Sequence, residues 1–511
     1  MKLSGHHLIA SALSAAATET FQAVNPVSGE FLPPCFAEGT ATEVDLAVTK
    51  AAADFDRFRA LPLRQRAEFL EAVARELLTV KAELIERCNL ETGLPLQRLD
   101  GELTRTTNQL NLFAATVKDG DALYQVQIEP ALPAREPLPK PDLRLTRIPI
   151  GPVAVFGASN FPLAFSVAGG DTAAAFAAGC PVIVKGHPSH PGTAEIVATA
   201  IVRAIASCNM PEGIFSLIQG SRNDVGETLV KHPEIKAVAF TGSHAAGRAL
   251  YNIAAARSEP IPVFAEMGST NPIFVLPRAL ASRGTEIAEK YIDSITLGVG
   301  QFCTNPGLLF AVKGANLDQF IAAAIEKLHH IEAAPLLNSG IKTNFLSRLT
   351  RLSGNTEIVF SGKAADQDNA SCQVLPTLLK TDIDTFLQRE EVAEEVFGPA
   401  AIVVECRSMD DLFTAAQHLR GQLTATLHAE VDEDKLSRKM FSILEKKAGR
   451  LLLNDFPTGV EVCRAMNHGG PYPATTDSRW TSVGPAALNR FLRPVCYQNF
   501  SASLLPEELR Q

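Results

Sequence analysis

A cysteine framed by glycines, in Gly300-Gln301-Phe302-Cys303-Thr304-Asn305-Pro306-Gly307, is the first candidate for chemistry in this chain of 511 residues. It follows a helix-like run, and the Gly and Pro around it leave a thiol accessible enough to react as thiolate. The plain alternative is a buried structural thiol, one of nine scattered cysteines. Upstream, Glu266 stands in Ala265-Glu266-Met267-Gly268, where an apolar strand ends. A carboxylate at such an exit can be desolvated, and the raised pKa suits a general base for water; an ordinary surface acid is the alternative. Asn160, in Gly157-Ala158-Ser159-Asn160-Phe161-Pro162, offers a side-chain N–H to a developing oxyanion, or is simply a turn residue. Phe240-Thr241-Gly242-Ser243-His244-Ala245-Ala246-Gly247 puts small residues between a strand and a helix. Exposed N–H groups at a helix start bind anions, and small side chains let a phosphate approach. Glu395 heads Glu395-Val396-Phe397-Gly398-Pro399 and alone reads as part of a solvated acidic run.

These residues need a frame. From Gly151 onward, strand-like and helix-like runs alternate: strands over 153–156, 181–185, 214–218, 237–240 and 261–265, with helices between them. This is the pattern of βαβ units and a parallel sheet covered on both faces, which binds ligands at the carboxyl ends of its strands. A second alternation follows Met267, with strands at 272–276, 308–312, 400–405, 424–428 and 450–454 and an irregular middle. Helices are expected at 285–297, 317–329, 410–419 and 434–447. Leu123–Ile150 differs, its two strand-like runs flanking five prolines, and the tail Arg490–Phe500 is another strand-like run. Both read as extended arms that either carry oligomer contacts or form plain surface hairpins.

Composition bounds the rest. With 47 Lys+Arg against 56 Asp+Glu the net charge is −9, and 46% of residues are apolar. Such a chain can bury large cores in about three domains, or two large ones. The mild acidity and low aromatic content argue against nucleic acid or an anionic membrane as partner. The odd number of cysteines, none in CxxC, suits a reducing cytoplasm better than a disulfide framework. HExxH is absent, and the pairs His6-His7 and His329-His330 do not share a helix face, so no metal site is expected. Neither a P-loop nor GxSxG occurs. The apolar stretches Leu8–Ala17 and Leu163–Val184 are read as parts of the fold rather than a signal or a membrane span.

Asn160-Phe161-Pro162, Phe240-Thr241-Gly242-Ser243, Glu266-Met267-Gly268, Gly300-Gln301-Phe302-Cys303 and Glu395-Val396-Phe397-Gly398-Pro399 follow one another in the order of an aldehyde dehydrogenase. The chain resembles that superfamily from about residue 8 to residue 500. The resemblance implies an α/β fold: two Rossmann-like parallel-sheet domains plus a small β oligomerisation arm. The expected boundaries are 1–122 with 151–265 for the dinucleotide-binding domain, 266–470 for the catalytic domain, and 123–150 with 488–511 for the arm. It implies Cys303 as nucleophile, Glu266 as general base, and Asn160 with the Cys303 backbone N–H as oxyanion hole. Cys303 would form a thiohemiacetal and then a thioester, which water activated by Glu266 would hydrolyse. On the cofactor side it implies Lys185 and Glu395 at the two riboses and Gly242 and Ser243 at the pyrophosphate, with Phe397 beside them.

Two departures stand out. NAD-preferring relatives carry a Glu three residues after the Lys185 equivalent, and here Gly186, His187 and Pro188 follow. Loss of that carboxylate removes repulsion toward a 2′-phosphate, so NADP is expected beside NAD, with Lys185 and His187 or Arg222 supplying positive charge. The usual Glu-Leu-Gly-Gly-Lys is here Glu266-Met267-Gly268-Ser269-Thr270. The segments around Asn160, Asn467-His468-Gly469-Gly470-Pro471-Tyr472-Pro473-Ala474 and Arg490-Phe491-Leu492-Arg493-Pro494-Val495-Cys496-Tyr497-Gln498 resemble bacterial 2-oxoglutarate semialdehyde (2,5-dioxopentanoate) dehydrogenases. The competing resemblance is to NADP-dependent long-chain (fatty) aldehyde dehydrogenases. A substrate carboxylate would need a cation, with Arg105 or Arg464 as candidates that could equally be ion-pair residues. Phe161 and Phe302 are the expected apolar contacts. A homodimer or homotetramer is expected.

Overall fold

The computed structural model describes residues 2–362 and 371–510. Its first sheet has seven strands, ordered Val263–Glu266, Ala237–Thr241, Val153–Phe156, Val182–Lys185, Phe215–Ile218, His7–Ile9, Ala12–Ser14. The first five run parallel, and His7–Ile9 pairs antiparallel with both Phe215–Ile218 and Ala12–Ser14. Successive side chains serve opposite faces. Val182 and Val184 join Phe58, Phe69 and Phe176 in one core, while Ile183 and Val238 join Val44 and Val48 in the other. Strand order reverses at Val153–Phe156, whose neighbours are the strand that follows it in the chain and the one two further on. The carboxyl ends of these strands therefore diverge into a crevice, from which Asn160 and Gly242-Ser243 depart.

The second sheet is ordered Glu357–Ser361, Thr377–Asp382, Ala400–Cys406, Leu308–Val312, Ile273–Val275, Gln422–His428, Ala448–Leu453. All pairs are parallel except the first. Its stacked Phe274 and Phe310 rings, with centroids 4.8 Å apart, centre one of its cores.

The expected irregular middle proves partly regular. It holds helix Ser339–Leu352, capped by Asn338 accepting from the Ile341 N–H at 2.8 Å, and two strands of the second sheet. That helix buries only Phe345, Arg348 and Leu352, too narrow a stripe to show as a period in the sequence. The helix expected at 285–297 begins earlier, at Pro277, and runs as Pro277–Thr296 with a kink at Arg283. Proline suits a first helical position because its missing N–H would have no intrahelical partner there.

The two expected arms join. Leu143–Pro149 pairs antiparallel with Gln127–Glu129 on one side and with the tail strand Leu492–Gln498 on the other. Among the described residues no helix is long and apolar enough to cross a membrane. After Ala448–Leu453 the chain returns to the first sheet, where Met267 N–H donates to Ala474 O at 2.8 Å and Thr476 N–H to Ala265 O at 3.1 Å. This return carries His468 and Ser482 to the end of the Glu266 strand.

Candidate active site

Cys303 follows a short tight turn, Leu297–Gly300, in which Gly298, Val299 and Gly300 all have positive φ. A β-branched residue at φ 59° is strained, and strain of this kind persists only where the surroundings over-determine it. They do so here: a Cβ on Gly300 would collide with the Gly398 carbonyl and Pro399. Two motifs far apart in the chain thus meet backbone to backbone. On the other side, Asn271 Nδ2 donates to Cys303 O at 2.8 Å and to Asn305 O at 3.0 Å. Asn271 is itself pinned, its Oδ1 accepting from Thr424 at 2.9 Å. Gln422 Oε1 accepts from Ser269 Oγ and Thr270 N–H, each at 2.8 Å. The Ser269-Thr270 departure therefore fastens the Glu266 segment to the second sheet.

Glu266 is buried with His468 and Ser482. His468 Nε2 lies 3.0 Å from Glu266 Oε1 and 3.4 Å from Cys303 Sγ, and Ser482 Oγ donates to Glu266 Oε2 at 2.7 Å. Burial alone would raise the Glu266 pKa, but His468, Ser482 and Cys303 outweigh it and hold the carboxyl below its ordinary value. The expectation of a raised pKa is corrected here, because hydrogen bonds favour the ionised form more than desolvation opposes it. The Cys303 thiol is pushed well above its ordinary value by burial and by Glu266, with Arg105 acting in the opposite direction.

His468 went unassigned in the sequence, where its segment served only to mark a subfamily. Its neighbours Gly469-Gly470 were the available signal: a Cβ on Gly470 would strike the Gln422 carbonyl, so the segment must press against the second sheet.

Asn160 is buried, its Nδ2 donating to Gln301 O at 3.0 Å on the cysteine turn. Arg98 Nη2 holds the Asn160 carbonyl at 2.8 Å, and its guanidinium lies over the Phe161 and Phe302 rings at 5.0 and 4.8 Å. Phe161 and Phe302 meet edge to face with centroids 5.3 Å apart. Arg105 lies over Phe161 and Phe165 at 5.9 and 5.4 Å, close enough to Cys303 and Glu266 to act on them electrostatically. Its Nε and Nη2 have no hydrogen-bond partner among the described residues. Arg464, the other candidate cation, is exposed. Arg450, unassigned in the sequence, acts on Cys303 electrostatically while its Nη1 and Nη2 hold Gly459 O and Pro457 O at 2.9 and 2.5 Å.

A cavity of about 430 Å³ joins Cys303, Glu266 and Asn160 to His187, Gly242, Ser243, Glu395 and Phe397. Ser243 caps helix His244–Ala255 by accepting from Ala246 N–H at 3.3 Å, which sets the helix N-terminus against the cavity. Burial pushes the Glu395 carboxyl up to about 7, opposed by the Ser269 N–H and Arg348. A helix N-terminus for a pyrophosphate and a half-buried carboxyl for ribose hydroxyls fit a dinucleotide. Lys185 ends its strand with Nζ donating to the Gly220 carbonyl, and burial lowers it to about 8. One expectation for positive charge needs correcting. His187 lines the cavity, but burial, His190 and Lys185 hold its pKa well below the ordinary value, so the ring is neutral. Arg222 is exposed and paired with Glu19 and Asp224.

Residues 13–492 match the Aldehyde dehydrogenase family. The chain is 50% identical over 515 residues to alpha-ketoglutaric semialdehyde dehydrogenase 2 of Azospirillum brasilense, covering 100% of this chain and 97% of that one. It is 44% identical to alpha-ketoglutaric semialdehyde dehydrogenase of Acinetobacter baylyi, covering 99% and 96%. Among solved structures, apo betaine aldehyde dehydrogenase of Staphylococcus aureus superposes with a TM-score of 0.83 at 22% identity, covering 97% of this chain and 96% of that one. Aldehyde dehydrogenase C of Pseudomonas syringae, in complex with NAD+ and octanal, gives 0.80 at 20% identity, covering 97% of each chain. Those two likenesses establish the fold, and the full-length relatives establish descent: the chain belongs to the aldehyde dehydrogenase family.

Proposed function

We propose that this protein oxidises 2-oxoglutarate semialdehyde to 2-oxoglutarate, with NAD or NADP as acceptor. The observation that carries the substrate reading is Arg105. A guanidinium packed between Phe161 and Phe165, with Nε and Nη2 unpartnered among the described residues and Cys303 within electrostatic reach, suits an aldehyde bearing a carboxylate. The 50% and 44% identical relatives bear names for that activity.

Cys303 Sγ adds to the aldehyde carbon as its proton passes to the Glu266–His468 pair and on to solvent. The resulting oxyanion of the thiohemiacetal takes hydrogen bonds from Asn160 Nδ2 and the Cys303 N–H. When bound, the dinucleotide supplies the acceptor for the hydride of the former aldehyde carbon. The carbonyl re-forms as a thioester on Cys303. Glu266, ionised and oriented by His468 and Ser482, then takes a proton from water, whose oxygen attacks the thioester carbon and expels the Cys303 thiolate. Lys185, Gly242, Ser243, Glu395 and Phe397 would hold the dinucleotide, with His187 as a neutral cavity wall.

The same reading divides the chain into 1–122 with 151–265 for the dinucleotide, 266–470 for catalysis, and 123–150 with 488–511 as an oligomerisation arm in a cytoplasmic homodimer or homotetramer. A second reading is a long-chain aldehyde dehydrogenase, favoured by the aromatic walls Phe161, Phe165 and Phe302. Formation of reduced dinucleotide from the semialdehyde and from a long-chain aldehyde, each with NAD and NADP, decides between them. A higher kcat/KM for the semialdehyde supports the first reading, and a higher value for the long chain supports the second.

A further inference from the structure

Chain order separates Glu266, Cys303 and His468, and the fold brings one ligand-type atom of each within 4.8 Å of the others. Two of the separations are 3.4 Å for Sγ to Nε2 and 3.0 Å for Nε2 to Oε1. A tetrahedral Zn²⁺ with bonds of about 2.3 Å to sulfur and about 2.0–2.2 Å to nitrogen and oxygen keeps its ligands at similar separations. The donor set is one thiolate, one imidazole and one carboxylate, which suits Zn²⁺ or Cd²⁺ and disfavours Mg²⁺ and Ca²⁺, whose preferred ligands are all oxygen. A second contact already orients one ligand, Ser482 Oγ holding Glu266 Oε2 at 2.7 Å, and the His468 backbone N–H anchors its segment by donating to Thr481 Oγ1 at 2.9 Å. Cys303 and Glu266 both face the open cavity, which provides an entry path and leaves a fourth position for water.

We infer that Cys303, His468 and Glu266 form a three-ligand site for a thiophilic divalent cation, Zn²⁺ above all, and that its occupancy reversibly switches the enzyme off. Binding forms metal–sulfur, metal–nitrogen and metal–oxygen bonds, releases the thiol proton to solvent and moves the His468 proton from Nε2 to Nδ1, with no change of oxidation state. The metal removes the sulfur lone pair needed for attack on an aldehyde and takes the Glu266 carboxylate from water. The inhibitory part rests on Cys303 being the nucleophile of the proposed reaction. The binding part rests on the geometry alone.

Cd²⁺ added to the full chain reads the site directly, through the ultraviolet charge-transfer absorption of a cadmium thiolate. The expected result is a band that saturates at one metal per chain, is displaced by Zn²⁺, and is lost in both Cys303→Ser and His468→Gln, each checked for retained dinucleotide binding. A band that persists undiminished in either variant overturns the site. Because a variant can fail for other reasons, the unaltered chain supplies a second test. Zn²⁺, but not Mg²⁺, should slow alkylation of Cys303 by iodoacetamide and stop turnover, with EDTA restoring both. Alkylation at an unchanged rate under Zn²⁺ overturns the inference. A chain that oxidises aldehyde but binds no Cd²⁺ removes the metal site alone, whereas full turnover by Cys303→Ser removes the proposed reaction.

Discussion

His468 Nε2 stands 3.0 Å from Glu266 Oε1, with both side chains almost wholly buried. The contact joins the return segment after the last strand of the second sheet to the final strand of the first. It keeps a desolvated carboxylate ionised and fixes the direction of its lone pairs. His468 is therefore a positioning residue for Glu266, and through the 3.4 Å approach to Sγ for Cys303 as well.

His468→Gln should keep a donor near Glu266 while losing the ring geometry. We expect kcat to fall by about 10- to 100-fold, short of the upper range of about 10²- to 10⁴-fold associated with a positioned general acid or base. Stopped-flow kinetics should show the pre-steady-state release of reduced dinucleotide slowed less than the steady state. Equal slowing of both phases would instead assign His468 to the first chemical step.

Arg105→Met keeps the packing against Phe161 and Phe165 and removes the charge. A lost hydrogen bond to a charged group costs about 1.5–3 kcal/mol, so kcat/KM for the semialdehyde should fall by about 10- to 100-fold. The value for a long-chain aldehyde should change little. Parallel losses for both substrates would show that Arg105 supports the site rather than a carboxylate.

In the proposed cofactor site, Glu395 would tie dinucleotide affinity to pH. Its carboxyl sits at about 7, above its ordinary value, because burial disfavours the ionised form. Ribose hydroxyl donors favour that ionised form, so dinucleotide should bind more tightly as pH rises through about 7. Titration by intrinsic fluorescence at several pH values tests this, and Glu395→Gln should flatten the profile. An affinity that falls across that range would contradict the assignment.

Asn271 carries the cysteine loop through two side-chain bonds to backbone carbonyls, at φ 45°. Asn271→Ala takes this donor from the Cys303 carbonyl, while the Asn305 carbonyl keeps the Gly307 N–H at 3.0 Å, and it places alanine in a conformation it rarely adopts. It should cost about 2 kcal/mol of stability and lower kcat more than it raises KM. Thermal unfolding together with steady-state kinetics would check both.

Much of this was legible in the sequence, for a physical reason. The parallel strands are short apolar runs with turn residues at their ends, so Cys303, Glu266, Asn160 and Ser243 could be placed at strand or helix boundaries. His468 was not legible, because it lies on an irregular segment with no periodicity and meets its partners only through tertiary packing. Its effect also reversed the expected Glu266 shift, since burial can be read from an apolar strand but a hydrogen-bond partner 202 residues away cannot. Helix Ser339–Leu352 was missed for its narrow buried stripe, and the neutral state of His187 for want of its neighbours His190 and Lys185.

The most direct test of the central claim is a rapid mix of Glu266→Gln with 2-oxoglutarate semialdehyde and dinucleotide, followed by an acid quench and peptide mass analysis. The account predicts a burst of reduced dinucleotide stoichiometric with active sites, slow turnover afterwards, and an acyl group on the peptide containing Cys303. Steady oxidation at the unaltered enzyme's rate, with Cys303 unmodified throughout, would contradict it.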